Sequence, residues 1–298
     1  MAVITSLFKS YTCNECKSGR SFDPQSIETI ISTYGEKNLL NKIIECSCGN
    51  KFSIYEGIIQ NLVSDNIFSA LEAVCDLRYH DTVQIIVGKE YTVNLPQKLL
   101  INQVFLTNID AGAVVAPHFF SSFETDSFTI VSSESKDNDS GFKKIGENHK
   151  VSWAVFGKSG DKPTETWILL LTQIKEQIIH GQYNIAVLTS EMMFESFLDK
   201  SLNKMLISEG LSKEASYTIL ESMKNIYDKA HKLLRDLNSK GLSSDKSINK
   251  EWVKLMELRN KIAHGENIDV DKEKAEWALK TALDAMFYIY MNSSVDIN

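Results

Sequence analysis

Apolar positions along this chain change period twice, and the last change is the clearest. From about residue 165 to 291 they recur three and four apart, the spacing of helices that bury one face. Pro163-Thr-Glu-Thr-Trp predicts a helix start and His180-Gly181 its end, since proline suits a first turn and glycine a last one. A second helix, Tyr183 to Ser208, carries Ile185, Ala186, Leu188, Met192, Phe194, Phe197, Leu198 and Leu202 on a side wide enough for burial. Gly210 stops it, and Ser212 caps a third that reaches about Leu237. Asn238 to Lys246 is a serine-rich loop. The fourth helix places Trp252, Val253, Leu255, Met256, Leu258 and Ile262 on one stripe and ends at Gly265; Asp271 to Tyr290 is the fifth. The expectation is an all-α five-helix antiparallel bundle over 163–298.

Upstream, from Asp81, the period falls to two. Thr82 to Leu95 reads as two strands about a Gly88-Lys89 turn, followed by Gln103–Ile109, Ala113–Phe120, Ser127–Ser132 and Lys150–Phe156. Ser133 to Asn148, rich in Ser, Asp, Asn, Lys and Gly, reads as an exposed mobile loop. These strands predict an antiparallel β-sandwich over 61–162, with Trp153 in its core. His118 reads as a packed strand residue, and His80 and His149 as loop residues. Gly157 to Pro163 is a linker whose Gly-Lys-Ser lacks the preceding glycine of a phosphate loop.

Residues 1–60 are marked by cysteine. Cys13-x2-Cys16 and Cys46-x-Cys48 stand 29 residues apart, flanked by Tyr11, Ile43, Ile44, Phe52 and Ile54, with a short amphipathic pattern (Ile27, Ile30, Ile31) between them. Paired thiolates on tight turns converge on one tetrahedral ion, and four of them leave no open position. The expected cofactor is therefore structural zinc, with no metal in catalysis; an unliganded cluster or a redox pair is the alternative. The stretch Ile43-Ile-Glu-Cys-Ser-Cys-Gly-Asn-Lys-Phe52 resembles the second knuckle of a zinc ribbon, although such ribbons have Cys-x2-Cys where this chain has Cys-x-Cys. Cys75, in an apolar helical stretch, reads as core.

Composition narrows the field. The whole is a multidomain α+β chain of 298 residues, 43% apolar, enough for real cores in one to three domains. Its net charge of −7 excludes a broad basic surface, so any nucleic-acid contact has to be local. The N-terminus lacks the pattern of a signal peptide and no long uncharged apolar run occurs, which predicts a cytoplasmic protein without a membrane partner.

Arg259, Asn260 and His264 close the fourth helix. Asn260 and His264 share a face, and the long Arg259 side chain is offset by about 100° from Asn260. Arg-Asn-x3-His-Gly at the end of a penultimate helix resembles the HEPN superfamily (higher eukaryotes and prokaryotes nucleotide-binding), over about 130 residues. That resemblance implies a homodimer or higher homo-oligomer in which two motifs face each other across the axis, an RNA substrate, and an acidic residue on the early helix against the arginine. Glu191 and Glu195 are the candidates, Glu195 the favoured one. Phe128-Thr-Ile-Val and Val151-Ser-Trp-Ala-Val-Phe-Gly157 are similar to H-type-lectin-like sandwiches and modules of phage tail proteins, which implies a glycan or phage protein ligand at loop ends.

The chemistry agrees with the resemblance. RNA carries its own nucleophile, the 2′-OH, so cleavage needs proton transfer and stabilisation of a charged phosphorane. An imidazole supplies the first near neutrality and a guanidinium fork the second, with no metal. The expected function is a metal-independent endoribonuclease, a toxin or phage-defence effector that leaves 2′,3′-cyclic phosphate and 5′-OH ends. The alternatives are a non-catalytic scaffold or binding module, and a nucleotide-binding accessory modified on a tyrosine. His231 and His180 read as surface residues, and Met192, Met193 and Met205 as core filler.

Overall fold

The computed structural model describes residues 10–21, 35–64, 71, 74–75, 77–110, 112–134, 142–159, 165–293 and 295; the amphipathic pattern at Ile27, Ile30 and Ile31 lies outside them. The chain is mixed α+β and divides into two compact units, Met1–Ala70 together with Thr164–Asn298, and Leu71–Pro163.

The first unit starts with two hairpins. β1 (Ser10–Thr12) pairs with β2 (Gly19–Ser21), and β3 (Ile43–Glu45) with β4 (Lys51–Ser53), with α1 (Glu36–Leu40) between them. α2 (Ile54–Val63) follows at once because Ser53 and Glu56 form a reciprocal cap. This segment packs on the helices that follow residue 164. They are α3 (Thr166–Ile179), α4 (Tyr183–Ser208), α5 (Lys213–Ser222), a wide π-type turn Asp228–Leu233 running into α6 (Leu234–Asn238), α7 (Lys246–Ala263) and α8 (Lys272–Asn292). Tyr55 of α2 donates its hydroxyl to Asp284 of α8 and sets its ring edge-on to Phe287 at 5.1 Å, and Lys37 of α1 donates to the Ser293 carbonyl at 2.6 Å.

The bundle core is aromatic where α4 meets α7. Trp252 is fully buried against Phe194, Tyr227 and His231, at ring separations of 5.5, 5.0 and 5.4 Å. His231 is therefore not a surface residue as expected: it packs on Trp252, and its Nε2 lies 2.7 Å from Asn249 Oδ1. The expected single helix from Ser212 to about Leu237 is broken at residues 223–225, where the Asn225 side chain accepts the Tyr227 N–H at 2.9 Å and restarts the chain. Met193 and Met205 are buried, but Met192 is exposed, as is Ile185 seven residues earlier on the same side of α4.

The second unit holds the strands expected to form a sandwich. β5 (Leu77–Ile86), β6 (Tyr91–Asn108), β7 (Val114–His118), β8 (Thr125–Ser133) and β9 (Asn148–Lys158) join in one antiparallel sheet of order β5-β9-β6-β8-β7. The strands predicted to end at Leu95 and begin at Gln103 are a single strand, β6. Its first residues pair with β8 and its last with β9, and the register shifts between Asn94 and Leu99. Pro96 falls in that unpaired stretch, where its missing N–H costs no ladder bond. Both halves of β6 still feed one core: Val93, Leu95, Leu99, Ile101 and Val104 gather with Phe128, Val151 and Trp153. His80 lies in β5 and not in a loop; His118 is a strand residue as expected, but at the exposed end of β7. His149, predicted in a loop, is fully buried in β9, with Nδ1 2.7 Å from Asp110 Oδ1 and Nε2 2.7 Å from Asn108 Oδ1. Cys75 is buried, as expected. Among the described residues no helix is long and apolar enough to cross a membrane.

Candidate active site and metal centre

α7 is held at both ends. Asp245 accepts the N–H groups of Ser247 and Ile248 at its start, at 2.9 and 3.0 Å. At its finish Gly265 adopts φ +77° and gives its N–H to the Ile262 carbonyl, while the Glu266 N–H reaches back to Lys261, both at 3.0 Å. This paired closure needs a left-handed residue after the cap, which glycine supplies without a Cβ clash. The cap itself is His264, whose own N–H returns to the Asn260 carbonyl at 2.9 Å. Its ring is exposed and makes no side-chain hydrogen bond among the described residues.

Arg259 faces the other way. Five residues at 100° each separate it from His264 by about 140° around the helix. Its Nε lies 3.2 Å from Glu191 Oε2 on α4, and its Nη1 donates to Asn260 Oδ1 at 3.1 Å. Asn260 thus links the guanidinium to the helix face that carries His264. Glu191 is only 1% exposed. Burial pushes its carboxyl up to about 7; the charge of Glu195 one turn on adds to the rise, and Arg259 opposes both. No other donor reaches Oε2 among the described residues, so the guanidinium at 3.2 Å is what compensates this buried carboxylate.

The acidic partner of Arg259 is therefore Glu191, not Glu195, which is half-buried on the wall of a neighbouring groove. A signal for this was present in the sequence. Glu191 sits four after Val187 and three before Phe194, a carboxylate in the register of buried apolar positions.

The raised carboxyl has a consequence for stability. A folded value near 7 against an ordinary 4.5 means the folded state holds a proton that the unfolded chain has already released. That advantage is complete below about 4.5 and fades as pH rises through 7. Wild type should lose about 3 kcal/mol relative to Glu191→Gln between pH 4.5 and about 8, read from urea midpoints at each pH. Parallel pH profiles for the two proteins would contradict the burial of an ionising group here.

The thiols form the second cluster. Each pair sits on the turn of one hairpin, with a left-handed residue directly after its second cysteine: Lys17 at φ 59° and Gly49 at φ 86°. Cys13 Sγ lies 3.7 Å from Cys48 Sγ and Cys16 Sγ 3.6 Å from Cys46 Sγ, and all four sulfurs fall within 4.8 Å of one another. Thiolates at about 2.3 Å around a tetrahedral ion stand about 3.8 Å apart, so the set fits a metal ion, Cys-x-Cys notwithstanding. Backbone amides already point at the sulfurs. The Cys48 amide, then the Ser18 hydroxyl, draws Cys46 down to about 5. Cys48 receives the Asn50 amide yet rises to about 11, because desolvation and the three other thiols resist another negative charge. A dication relieves that conflict.

The described chain is thus an α+β protein with a metal-competent four-cysteine cluster and a helix end bearing an anchored arginine and an exposed histidine. Comparison with models of known families, with characterised proteins and with solved structures returns no match.

Proposed function

We propose that this protein is a metal-independent endoribonuclease whose cleavage centre is completed when two copies bring their α7 ends together. The observation that carries the reading is the arginine. Arg259 is anchored on the buried Glu191 while its side chain stays 36% exposed, which leaves part of the guanidinium open to a ligand at the surface. Within one chain Arg259 and His264 diverge, so a single copy offers one imidazole and a guanidinium turned aside. A two-fold partner supplies the second of each, which is what separate base and acid roles require. Ile185 and Met192, exposed and seven apart on α4 beside Glu191, give that partner an apolar surface.

In this mechanism one His264 takes the proton from the ribose 2′-OH and the other returns one to the departing 5′-oxygen. Arg259 grips the phosphate oxygens as charge builds, and Asn260 orients them. The four cysteines hold a structural zinc, which fastens the two hairpins and takes no part in the cut. The biological setting that suits such an enzyme is a toxin or phage-defence effector, with the five-stranded sheet as the sensing or assembly part, open to a glycan or phage protein.

An arginine paired with a buried carboxylate also suits a non-catalytic dimer scaffold. The two readings part in one assay. Purified protein with excess EDTA should cut single-stranded RNA and leave DNA of the same sequence whole, because DNA lacks the nucleophile. RNA left intact would leave the scaffold.

A further inference from the structure

A sulfur bound to zinc is a thiolate, and thiolates that solvent can reach are the ones that oxidants attack. In the four-cysteine cluster only Cys13 is buried; Cys16 and Cys48 are exposed and Cys46 is half-buried. Two close sulfur pairs run from one hairpin to the other, Cys16 with Cys46 at 3.6 Å and Cys13 with Cys48 at 3.7 Å. The first of these lies at the surface, where Ser18 Oγ stands 3.0 Å from Cys16 Sγ and 3.5 Å from Cys46 Sγ. The second includes the buried Cys13, whose Sγ also faces Asn50 Nδ2 at 3.7 Å. An oxidant arriving from solvent at Cys16 therefore finds a second sulfur already beside the one it attacks.

We propose that the cluster is a redox switch, in which a peroxide joins Cys16 to Cys46 as a disulfide across the two hairpins and the zinc leaves. The Cys16 thiolate attacks one peroxide oxygen and the O–O bond breaks. That oxygen stays on sulfur as a sulfenic acid, and the other leaves as hydroxide. The Cys46 thiolate then attacks the Cys16 sulfur and expels the second oxygen, again as hydroxide. Each hydroxide takes a proton from solvent, so two thiolates are oxidised by two electrons and one peroxide becomes two waters. Cys13 and Cys48 alone cannot close a tetrahedral site, so the ion is released. The new bond keeps the hairpins together, and a thiol reductant with zinc rebuilds the site. Tyr55 and Lys37 tie this segment to Asp284 and Ser293, so loss of the ion reaches the helices. The proposal rests on the structural-zinc reading of the same four residues and adds a regulation to it.

The test treats the full-length protein, zinc-loaded as purified, with a small excess of hydrogen peroxide. Free zinc is followed with a chromogenic chelator, and cross-links are mapped by mass spectrometry of non-reduced peptides. About one zinc per chain should appear in step with a Cys16–Cys46 disulfide. Cys75, buried in the other unit, should stay reduced, and the melting temperature should fall. Dithiothreitol with added zinc should restore both the metal and the melting temperature. Zinc that stays bound until the protein is heated, or a cross-link within one hairpin such as Cys13 to Cys16, overturns the switch and leaves the structural zinc standing. Protein that carries no zinc as purified removes both.

Discussion

His264→Ala should lower RNA cleavage by about 10²- to 10⁴-fold, the range lost when a positioned proton-transfer group is removed, with little change in melting temperature. The separation follows from the geometry. It is the backbone of His264 that caps α7, through its N–H to Asn260, while the exposed ring makes no side-chain hydrogen bond among the described residues. Arg259 calls for a gentler change, because Arg259→Ala would strand the buried Glu191 carboxylate and risk the fold. Arg259→Lys keeps a cation opposite Glu191 and removes the planar fork that matches phosphate. It should fold, melt near wild type and cut poorly. A His264→Ala protein that cuts at the wild-type rate would remove the imidazole from the mechanism.

The second large effect is expected at the cysteines. Purified protein should carry about one zinc per chain, and Cys13→Ser should carry none. Closed thiolate sites supply much of the folding energy of small zinc modules, up to about 10 kcal/mol or more in isolated peptides. Only two hairpins of three-residue strands gain from it directly, but their loss spreads. Tyr55 and Lys37 tie this segment to Asp284, Phe287 and Ser293 on and just beyond α8. Cys13→Ser should therefore open the chain before residue 64 to protease and lower the melting temperature by several degrees. Four titratable thiols in native protein, with no metal by elemental analysis, would contradict the assignment.

Much of the helical unit was legible because its punctuation is local. Gly181, Gly210 and Gly265 mark ends where a left-handed residue is needed, and all three take positive φ there. The cysteine cluster was legible for a similar reason: two short pairings fix two turns, whatever lies between. What escaped reading depended on distant partners. The sequence pattern ends one strand at Leu95 and starts another at Gln103, and only the change of partner along β6 shows why a single strand runs through Pro96 between them. His149 reads as a loop residue and His231 as a surface residue because nothing nearby in sequence announces Asp110, Asn108 or Trp252. At the candidate site the motif on α7 was visible, but the choice between Glu191 and Glu195 was decided by the α4–α7 packing. The core register of Glu191 argued for burial against Arg259, and the favoured Glu195 was the wrong one of the two.

The central claim is that this helix end cuts RNA with the substrate's own hydroxyl. The most direct measurement is the chemistry of the ends released from a defined single-stranded RNA in excess EDTA, for wild type and for His264→Ala purified side by side. The account predicts 2′,3′-cyclic phosphate and 5′-OH ends from wild type and almost none from the variant. Ends bearing 3′-OH and 5′-phosphate, or the same products in equal yield from both proteins, would contradict it.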